Sequence, residues 1–404
     1  MIKEKGKPQI RFSGFNDTWE QRKLGDVFEE YSEKNHEELP ALMIIQGKGT
    51  CRRQDSERNL FYDKSNLSNY KMVKKGDFIV HLRSFEGGLE IATNTGIISP
   101  AYHVFHGVNT DSRFYYSYFR SKKFIDSDLK PHVYGIRDGR SIDIEGMKTI
   151  KIPYTDYTEQ KAIGDYIASI DHLITLHQSK YDKLTKVKKS MLEKMFPKNG
   201  SNVPEIRFKG FTEAWEQRKL GDYCEMFNGD RSNKYPNAQD MVPEGIPFIN
   251  AGDLENGRVN LATANKISRE KYDDLGGAKL QLGDIVYCLR GTLGKNAYID
   301  NFEEGTVASS LAAIRPKNIN GRYLFHVLNS DIEYRQRVVH DEGAAQPNLS
   351  AKNVAGFNIP IPDIDEQDKL ASYFDGLDSL ITLHQCKLEK LKNIKKACLE
   401  KMFV

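Results

Sequence analysis

Apolar residues recur at alternating spacings of three and four along two long stretches of the chain, Thr158–Phe196 and Asp365–Phe403. This period of 3.5 residues is typical of a coiled-coil seam. Lys188 and Lys395 interrupt the seam at matching positions, and no proline or glycine falls between residues 167 and 196. We therefore predict two long helices, each roughly 55 Å in length, that bury their seams against each other. The seam positions are Ile163, Ile167, Ile170, Ile174, His177, Tyr181, Leu184, Met191 and Met195, and then Leu370, Phe374, Leu377, Ile381, His384, Leu388, Leu391, Cys398 and Met402.

The two helical stretches belong to a larger internal repeat. The hexapeptide LITLHQ at Leu173–Gln178 returns 207 residues later at Leu380–Gln385, and both stretches end in LEKMF. A second repeated segment opens each half, as PQIRFSGFNDTWEQRKLGD at Pro8–Asp26 and PEIRFKGFTEAWEQRKLGD at Pro204–Asp222. The chain therefore consists of two tandem copies of one plan: an opening segment, a variable block and a long helix.

The variable blocks read as compact α+β domains. KKGDFIVHLRS (Lys74–Ser84) aligns with QLGDIVYCLRG (Gln281–Gly291), and each is a Gly-Asp turn followed by a β-rich run that ends in Leu-Arg. Short strands broken by Gly, Asn and Asp dominate both blocks. A helix is predicted in each block, near Phe114–Phe124 and near Arg322–Val338.

Composition narrows the classes of function. The 404 residues include 59 basic and 56 acidic side chains, a net charge of +3, so any nucleic-acid surface has to be local. The five cysteines form no CxxC pair, and we expect no metal site. The start of the chain lacks the apolar region of a secretory signal, and no apolar run is long enough to span a membrane, so we expect a cytoplasmic protein.

The order of the motifs resembles that of the specificity (S) subunits of type I restriction–modification enzymes. The likeness covers nearly the whole chain and follows the pattern GFxxxWExxxLGD, variable block, IPxxxxxEQ, long helix, twice over. In the first half these residues are Gly14, Phe15, Trp19, Glu20, Leu24, Gly25, Asp26, Ile152, Pro153, Glu159 and Gln160; in the second they are Gly210, Phe211, Trp215, Glu216, Leu220, Gly221, Asp222, Ile359, Pro360, Glu366 and Gln367.

The resemblance implies an α+β fold in which two tandem α/β target recognition domains are separated by two long antiparallel coiled-coil helices with pseudo-two-fold repeat symmetry. On this plan residues 1–157 form the first recognition domain, 158–197 the central spacer helix, 198–364 the second recognition domain and 365–404 the C-terminal spacer helix. It further implies a DNA-binding subunit that reads a bipartite site in double-stranded DNA and assembles with two adenine methyltransferase (M) subunits and with restriction (R) subunits. S-adenosylmethionine, ATP and Mg are expected on those partners only.

Two other classes of function stay open at this point. A single-chain nuclease or methyltransferase would need catalytic motifs, yet there is no phosphate loop and no Asn/Asp-Pro-Pro-aromatic sequence. A nuclease-like trace exists in Asp156 followed by Glu159 and Lys161, but acidic residues also favour the first turn of a helix, where Thr158 and Asp365 are candidate N-caps. The third class is a coiled-coil scaffold that binds protein rather than DNA.

Arg83 and Arg290 are the first candidates for DNA contact, because each ends the aligned β-run and precedes a Gly-rich turn. An arginine there can reach a phosphate or the O6/N7 edge of guanine. The alternative is a structural ion pair with the nearby Asp77 or Asp284. Further candidates are basic or amide side chains on predicted turns, which suit contacts to phosphates and bases; they are Lys48, Arg52, Arg53, Arg137, Arg140, Arg231, Lys295, Gln346 and Asn348.

Leu176 and Leu383 are candidates for partner binding. Each lies two residues past a seam residue, about 200° around the helix, so pairing of the seams leaves it exposed. An isolated exposed leucine is common, but the same leucine inside two identical hexapeptides predicts contact with two copies of one partner. His177 and His384 lie on the seam, where a hydrogen-bonded core histidine is the favoured interpretation over a metal ligand.

Overall fold

Each half of the chain folds into a small α+β domain followed by one long helix. The structure is a computed structural model. It describes residues 6–55, 64–80, 89–134, 141–198, 200–340 and 348–403.

The first half has these elements among the residues that the structure describes. Its helices are α1 (Leu24–Val27), α2 (Ser112–Phe119), α3 (Ile144–Lys148) and α4 (Tyr157–Lys194). Its strands are β1 (Glu20–Lys23), β2 (Phe28–Tyr31), β3 (Leu42–Ile45), β4 (Gly49–Arg52), β5 (Lys71–Val73), β6 (Phe78–Val80), β7 (Leu89–Ile91), β8 (Gly96–Ile98), β9 (His103–Gly107), β10 (Val133–Tyr134), β11 (Ser141–Ile142) and β12 (Lys151–Tyr154).

The second half repeats this plan with its own loops. Its helices are α5 (Arg269–Asp274), α6 (Gly321–Val327), α7 (Asp331–His340), α8 (Ala351–Ala355) and α9 (Ile364–Lys401). Its strands are β13 (Glu216–Lys219), β14 (Cys224–Asn228), β15 (Met241–Ile249), β16 (Leu254–Glu255), β17 (Arg258–Val259), β18 (Asn265–Ile267), β19 (Ile285–Cys288), β20 (Asn296–Tyr298), β21 (Thr306–Val307), β22 (Leu311–Pro316) and β23 (Asn358–Ile361).

Both halves are built on an antiparallel four-stranded sheet, in the order β2-β9-β6-β7 and then β14-β22-β19-β20. The β-rich runs predicted after the Gly-Asp turns are the interior strands β6 and β19, and their residues are almost fully buried. The strand that follows each repeated tryptophan, β1 or β13, pairs with the Ile-Pro strand before the long helix, β12 or β23. The predicted repeat is thus also a repeat of strand pairing.

The predicted helix near Arg322–Val338 is wrong in one respect, because it is two helices, α6 and α7. The side chain of Ser330 interrupts them, since its Oγ accepts a hydrogen bond from the Ile332 amide at 3.2 Å in the manner of an N-cap. In the first half α2 ends at Phe119, and a separate turn of π-helix follows at Phe124–Leu129.

Two compact units divide the chain, and each contains part of both long helices. Unit 1 comprises Met1–Ser179 and Gln385–Val404; unit 2 comprises Lys180–His384. In unit 1 the first part of α4 packs against the last part of α9, and in unit 2 the last part of α4 packs against the first part of α9. The helices are therefore antiparallel within each unit.

The predicted seam is confirmed in both helices, where its residues are buried or half-buried. The two lysines that interrupt the seam have partners on the opposite helix. Lys188 Nζ lies 2.5 Å from Asp378 in unit 2, and Lys395 Nζ lies 2.5 Å from Asp171 in unit 1. These pairs occupy equivalent positions in the repeat, and they link the lysines across the seam rather than leaving them uncompensated.

A buried carboxylate fastens the start of each long helix to the opening segment. In unit 1 Glu159 accepts hydrogen bonds from Trp19 Nε1 at 2.8 Å and from both Nε and Nη2 of Arg11. Its counterpart Glu366 accepts from Trp215 Nε1 at 2.9 Å and from Nε and Nη2 of Arg207 at 2.8 Å each. We refer to each of these sets of three residues as a helix-start cluster.

Each long helix begins in one unit and ends in the other, and aromatic side chains hold its end in place. Phe403, after α9, packs against Trp19 in unit 1 with ring centroids 6.4 Å apart, and Phe196, after α4, packs against Trp215 at 6.2 Å in unit 2. The amides of Gln9 and Ile10 donate to the Lys401 carbonyl at 2.9 and 3.1 Å, so the opening segment satisfies a carbonyl at the last turn of α9.

Candidate nucleic-acid interface

Four strand ends of the second half meet at one edge of its central sheet. Because the strands are antiparallel, β14 and β19 end where β22 and β20 begin, with Asn228 opposite Ala312 and Cys288 opposite Leu311. The segments that connect these strands contain Arg231, Arg290 and Lys295, and we call this edge the loop end of the sheet. Arg231, which follows β14, is thereby brought to the same edge as Arg290 and Lys295, which belong to the segment between β19 and β20.

Arg290 and Asn348 are direct neighbours at the loop end. Their backbones form an antiparallel bridge, and Arg290 Nε donates to Asn348 Oδ1 at 3.2 Å. The Arg290 side chain is exposed, and Gly291, with φ of +80°, begins the turn that follows it. The proposed structural pairing with Asp284 is wrong, because Asp284 is held by both Nε and Nη2 of Arg315 at 2.8 Å.

Arg231 is exposed beside an open cavity of about 720 Å³ that Lys234 also lines. Arg231 Nη2 reaches the Ser309 carbonyl at 3.3 Å. The neighbouring Asp230 is buried, and hydrogen bonds led by Ser232 lower the pKa of its carboxyl, so it stays ionised while it organises the turn. Lys295 is less available, since its ammonium group donates to the Ala251 carbonyl at 2.9 Å and the residue is half-buried.

A buried carboxylate underlies the hairpin loop between β19 and β20. Glu333 accepts a hydrogen bond from Tyr287 and one from Arg337 Nε at 2.8 Å, and burial raises the pKa of its carboxyl. A Cβ added to Gly294 would lie within 3 Å of both Glu333 and Arg337, so the loop rests directly on this pair. Gly294 also has φ of +78°, a conformation that favours glycine.

The first half has the same loop end at its sheet, where β2 and β6 end and β9 and β7 begin. Arg83 belongs to the segment between β6 and β7, which lies outside the described residues, as do Arg137, Arg140 and Gln346.

The β3–β4 hairpin brings three candidates of the first half together. Lys48 is exposed at the turn and Arg52 is exposed at the end of β4. Arg53 is half-buried, donates from Nε to the Leu42 carbonyl at 3.3 Å and lies 5.7 Å from the ring of Tyr70. Lys48 and Arg52 are thus available to an anionic ligand, whereas Arg53 helps to hold the hairpin.

Sequence reasoning missed Glu90, which fixes the turn of that hairpin. This buried carboxylate accepts from the amides of Gly47 at 2.6 Å and Gly49 at 3.3 Å, from the Tyr116 hydroxyl at 3.0 Å and from Arg120 Nη1 at 2.8 Å. A single acidic residue between the apolar Leu89 and Ile91 of a short strand was the available signal, but its partners are distant in sequence. Glu90 in the first half and Glu333 in the second have the same role, because each is a buried carboxylate that contacts a glycine-containing turn.

The nuclease-like trace of Asp156, Glu159 and Lys161 has a structural explanation. Glu159 is fully buried in its helix-start cluster, and Lys161 pairs with Asp165 at 2.6 Å on the exposed face of α4. Asp156 caps the helix, because its Oδ1 accepts from the Thr158 amide at 2.7 Å, and this bonding lowers the pKa of the Asp156 carboxyl. The predicted caps Thr158 and Asp365 are therefore wrong: in the second half Asp363 accepts from the Asp365 amide at 2.9 Å.

Leu176 and Leu383 point to solvent, with 39% and 46% of their surface exposed. Leu173 and Leu380, three residues earlier in each helix, are also exposed. Each copy of LITLHQ therefore presents two leucines on the outer face of its helix, a larger apolar feature than the single leucine predicted. His177 and His384 are half-buried on the seam.

Among the residues described, no group of three or more His, Cys, Asp and Glu side chains has the arrangement of a metal site. Over the same part of the chain, no helix combines the length and apolarity needed to cross a membrane.

A family model described as the type I restriction modification DNA specificity domain matches the chain twice, over residues 16–186 and 212–393. The specificity subunit of the type I restriction enzyme MjaVIII from Methanocaldococcus jannaschii is 23% identical over 300 residues, which cover 71% of this chain and 68% of that protein. The HindI specificity subunit from Haemophilus influenzae is 28% identical over 199 residues, 47% of this chain and 41% of the relative.

A solved structure shares the fold. The S subunit of a type I restriction-modification system from M. genitalium superposes with a TM-score of 0.65 and 18% sequence identity, covering 98% of this chain and 99% of that one. The α+β fold with two tandem domains and two long helices, expected from the sequence, is confirmed.

Proposed function

The chain belongs to the family of type I restriction modification DNA specificity domains, and we propose that it is the subunit that reads a bipartite DNA site, one half-site with each recognition domain. It carries out no chemistry of its own. Adenine methylation and DNA cleavage belong to partner M and R subunits, and S-adenosylmethionine, ATP and Mg belong to those partners as well.

The contrast between the two kinds of repeated element supports this proposal best. The long helices share identical segments, while the segments at the loop ends differ in sequence and length between the halves. A protein that binds two copies of one partner needs matching docking surfaces, whereas a protein that reads two different half-sites needs different reading loops. The paired leucines of LITLHQ suit the first requirement, and the loop-end arginines suit the second.

The second recognition domain offers side chains for both kinds of DNA contact. An exposed arginine matches the O6/N7 edge of guanine, and an asparagine matches the N6/N7 edge of adenine. Arg290 and Asn348 are adjacent at the loop end and provide one of each. Arg231, exposed on an open cavity at the same loop end, suits contacts to phosphates, which position a protein on the duplex without reading its sequence. Lys234 lines the same cavity but is paired with Asp274.

The test is an exchange of one recognition block followed by sequencing of methylated DNA. The segment from Val27 to Ile150 is replaced by the equivalent segment of another specificity subunit, and the chimera is produced with the M subunit. We expect one half of the methylated motif to change and the other half to stay the same. The reciprocal exchange in the second half is the matched control, and a change of both half-sites in either chimera would refute the assignment of one half-site to each domain.

A further inference from the structure

A groove with basic walls lies between the end of α2 and the last turns of α9, in unit 1. Its volume is about 420 Å³, within the range of roughly 300–1,000 Å³ that is usual for ligand pockets. Six of its side chains are cationic and one is acidic. The lining residues are Arg120, Ser121, Lys122, Lys123, Ile174, Lys392, Lys395, Lys396, Leu399, Glu400 and Phe403.

Two of the cations have carboxylate partners. Arg120 pairs with Glu90 at 2.8 Å, and Lys395 pairs with Asp171 at 2.5 Å. By contrast, Lys122, Lys392 and Lys396 are exposed and have no ion pair within the described parts of the chain. The groove therefore keeps an excess of positive charge that the fold itself does not neutralise.

The floor of the groove is apolar. Ile174 and Leu399 are half-buried there, and Phe403 is mostly buried against the core of unit 1. A DNA backbone gains little from such a floor, since phosphates are bound by charge and hydrogen bonds. A polypeptide that carries both acidic and large apolar side chains matches the rim and the floor together.

The equivalent place in unit 2 has a different charge. The amides of Asp111 and Asn320 donate to Gln160 and Gln367 in the same way, which aligns the starts of α2 and α6. This alignment, with the 207-residue offset of the long helices, relates the lining residues of the two halves. Arg120, Lys122, Lys392 and Lys396 correspond to Asn329, Asp331, Thr185 and Lys189.

Lys189 is therefore the one cation kept of these four positions, and Asp331 adds a negative charge. Among the residues that the structure describes, the equivalent place in unit 2 therefore lacks the basic character of the groove, although the helices that form one of its walls are repeated.

We propose that this groove binds an acidic segment of a partner protein, with carboxylates on the unpaired lysines and one large apolar side chain on the floor formed by Ile174, Leu399 and Phe403. This partner binds unit 1 only, in contrast to a partner that docks on both copies of LITLHQ. The inference does not depend on how the recognition domains read DNA.

The experiment uses the full chain and a fluorescein-labelled helical peptide in which glutamates flank a leucine. One analogue has glutamine in place of every glutamate, and a second has serine in place of the leucine. We expect one site per chain by fluorescence anisotropy and at least tenfold weaker binding of either analogue. The charge-reversal variant Lys122→Glu, Lys392→Glu, Lys396→Glu should also bind the acidic peptide at least tenfold more weakly.

The matched control reverses the same number of exposed lysines elsewhere in unit 1, Lys23→Glu, Lys130→Glu and Lys151→Glu, and should keep peptide affinity within about twofold. Equal losses in both triple variants would show non-specific attraction and overturn the proposal. A labelled DNA duplex is the third probe. If the groove variant lost duplex binding while the wild-type chain showed no preference for the acidic peptide over its glutamine analogue, the groove would be a DNA contact instead.

Discussion

Removing the carboxylate of a helix-start cluster should destabilise one unit much more than an exposed ion pair would. In unit 2 the Glu366 side chain is 1% exposed and the Arg207 side chain 12% exposed. The substitution Glu366→Ala leaves the Arg207 guanidinium and the Trp215 N–H without their shared acceptor. It also releases the start of α9 from the opening segment of the second half.

The magnitude follows from the burial of the pair. Breaking a buried ion pair from one side costs about 3–5 kcal/mol, because an uncompensated charge is left behind. Arg207 keeps 12% of its side chain exposed, so we expect the lower end, about 3 kcal/mol. For a unit of this size, each kcal/mol moves the unfolding midpoint by about 2–4 °C, which gives a fall of about 6–12 °C.

Scanning calorimetry measures that fall, and hydrogen exchange followed by mass spectrometry locates it. We expect faster exchange in β13 and β23 of unit 2 and unchanged exchange in β1 and β12 of unit 1; Glu159→Ala should give the reverse pattern. Glu216→Ala removes an exposed pair with Arg218 and is the matched control. Arg207→Met combined with Glu366→Ala should recover part of the loss, since no unpaired charge remains. If Glu366→Ala unfolded no earlier than the Glu216→Ala control, the structural role assigned to the cluster would be wrong.

Three further predictions test other parts of the molecule. Replacing Leu176 and Leu383 by Asp should weaken M-subunit assembly at least tenfold, because burying a leucine is worth roughly 1.5–3 kcal/mol; analytical ultracentrifugation near the wild-type dissociation constant checks this, and a full-sized complex would contradict it. A circular permutant that starts at Gly200 and joins Phe403 to the first opening segment through a short Gly-Ser linker should fold with a wild-type circular dichroism spectrum, because that segment already bonds to the end of α9. Burial holds the pKa of His326 below its usual 6.5, so unit 2 should lose stability as pH falls below about 6.5, and His326→Phe should flatten that loss in urea titrations between about pH 5 and pH 7.

The repeated plan of the chain could be derived from sequence because it depends on local patterns. A period of 3.5 residues in the apolar positions is enough to define a seam, and the residues of that seam are buried or half-buried in α4 and α9, as predicted. The runs after the two Gly-Asp turns are interior strands for the same reason, since Phe78–Val80 and Ile285–Cys288 are continuously apolar. Identical segments in both halves required that both copies fold alike.

Hydrogen bonds between distant residues could not be derived in this way. The sequence placed Glu159 in the first turn of a helix, but its partners Arg11 and Trp19 lie about 140 residues earlier. Asp284 lies six residues before Arg290, yet its ion pair is with Arg315 on the neighbouring strand. A side chain chooses the partner that strand pairing brings within reach, and nearness in sequence is a poor guide to that choice.

Two copies of one α+β plan, each followed by a helix with an apolar seam, follow from the amino-acid sequence, because period and repeat are properties of the chain alone. Which charged side chains remain available to a ligand depends on the fold. The sequence does not distinguish a basic side chain that has a partner within the fold from one that is exposed. Carbonyl or carboxylate groups bind Arg53, Lys295 and Lys395. Lys48 and Arg290, by contrast, are exposed. Whether a cation stabilises the fold or faces a partner depends on the groups packed around it, and packing exists only in three dimensions.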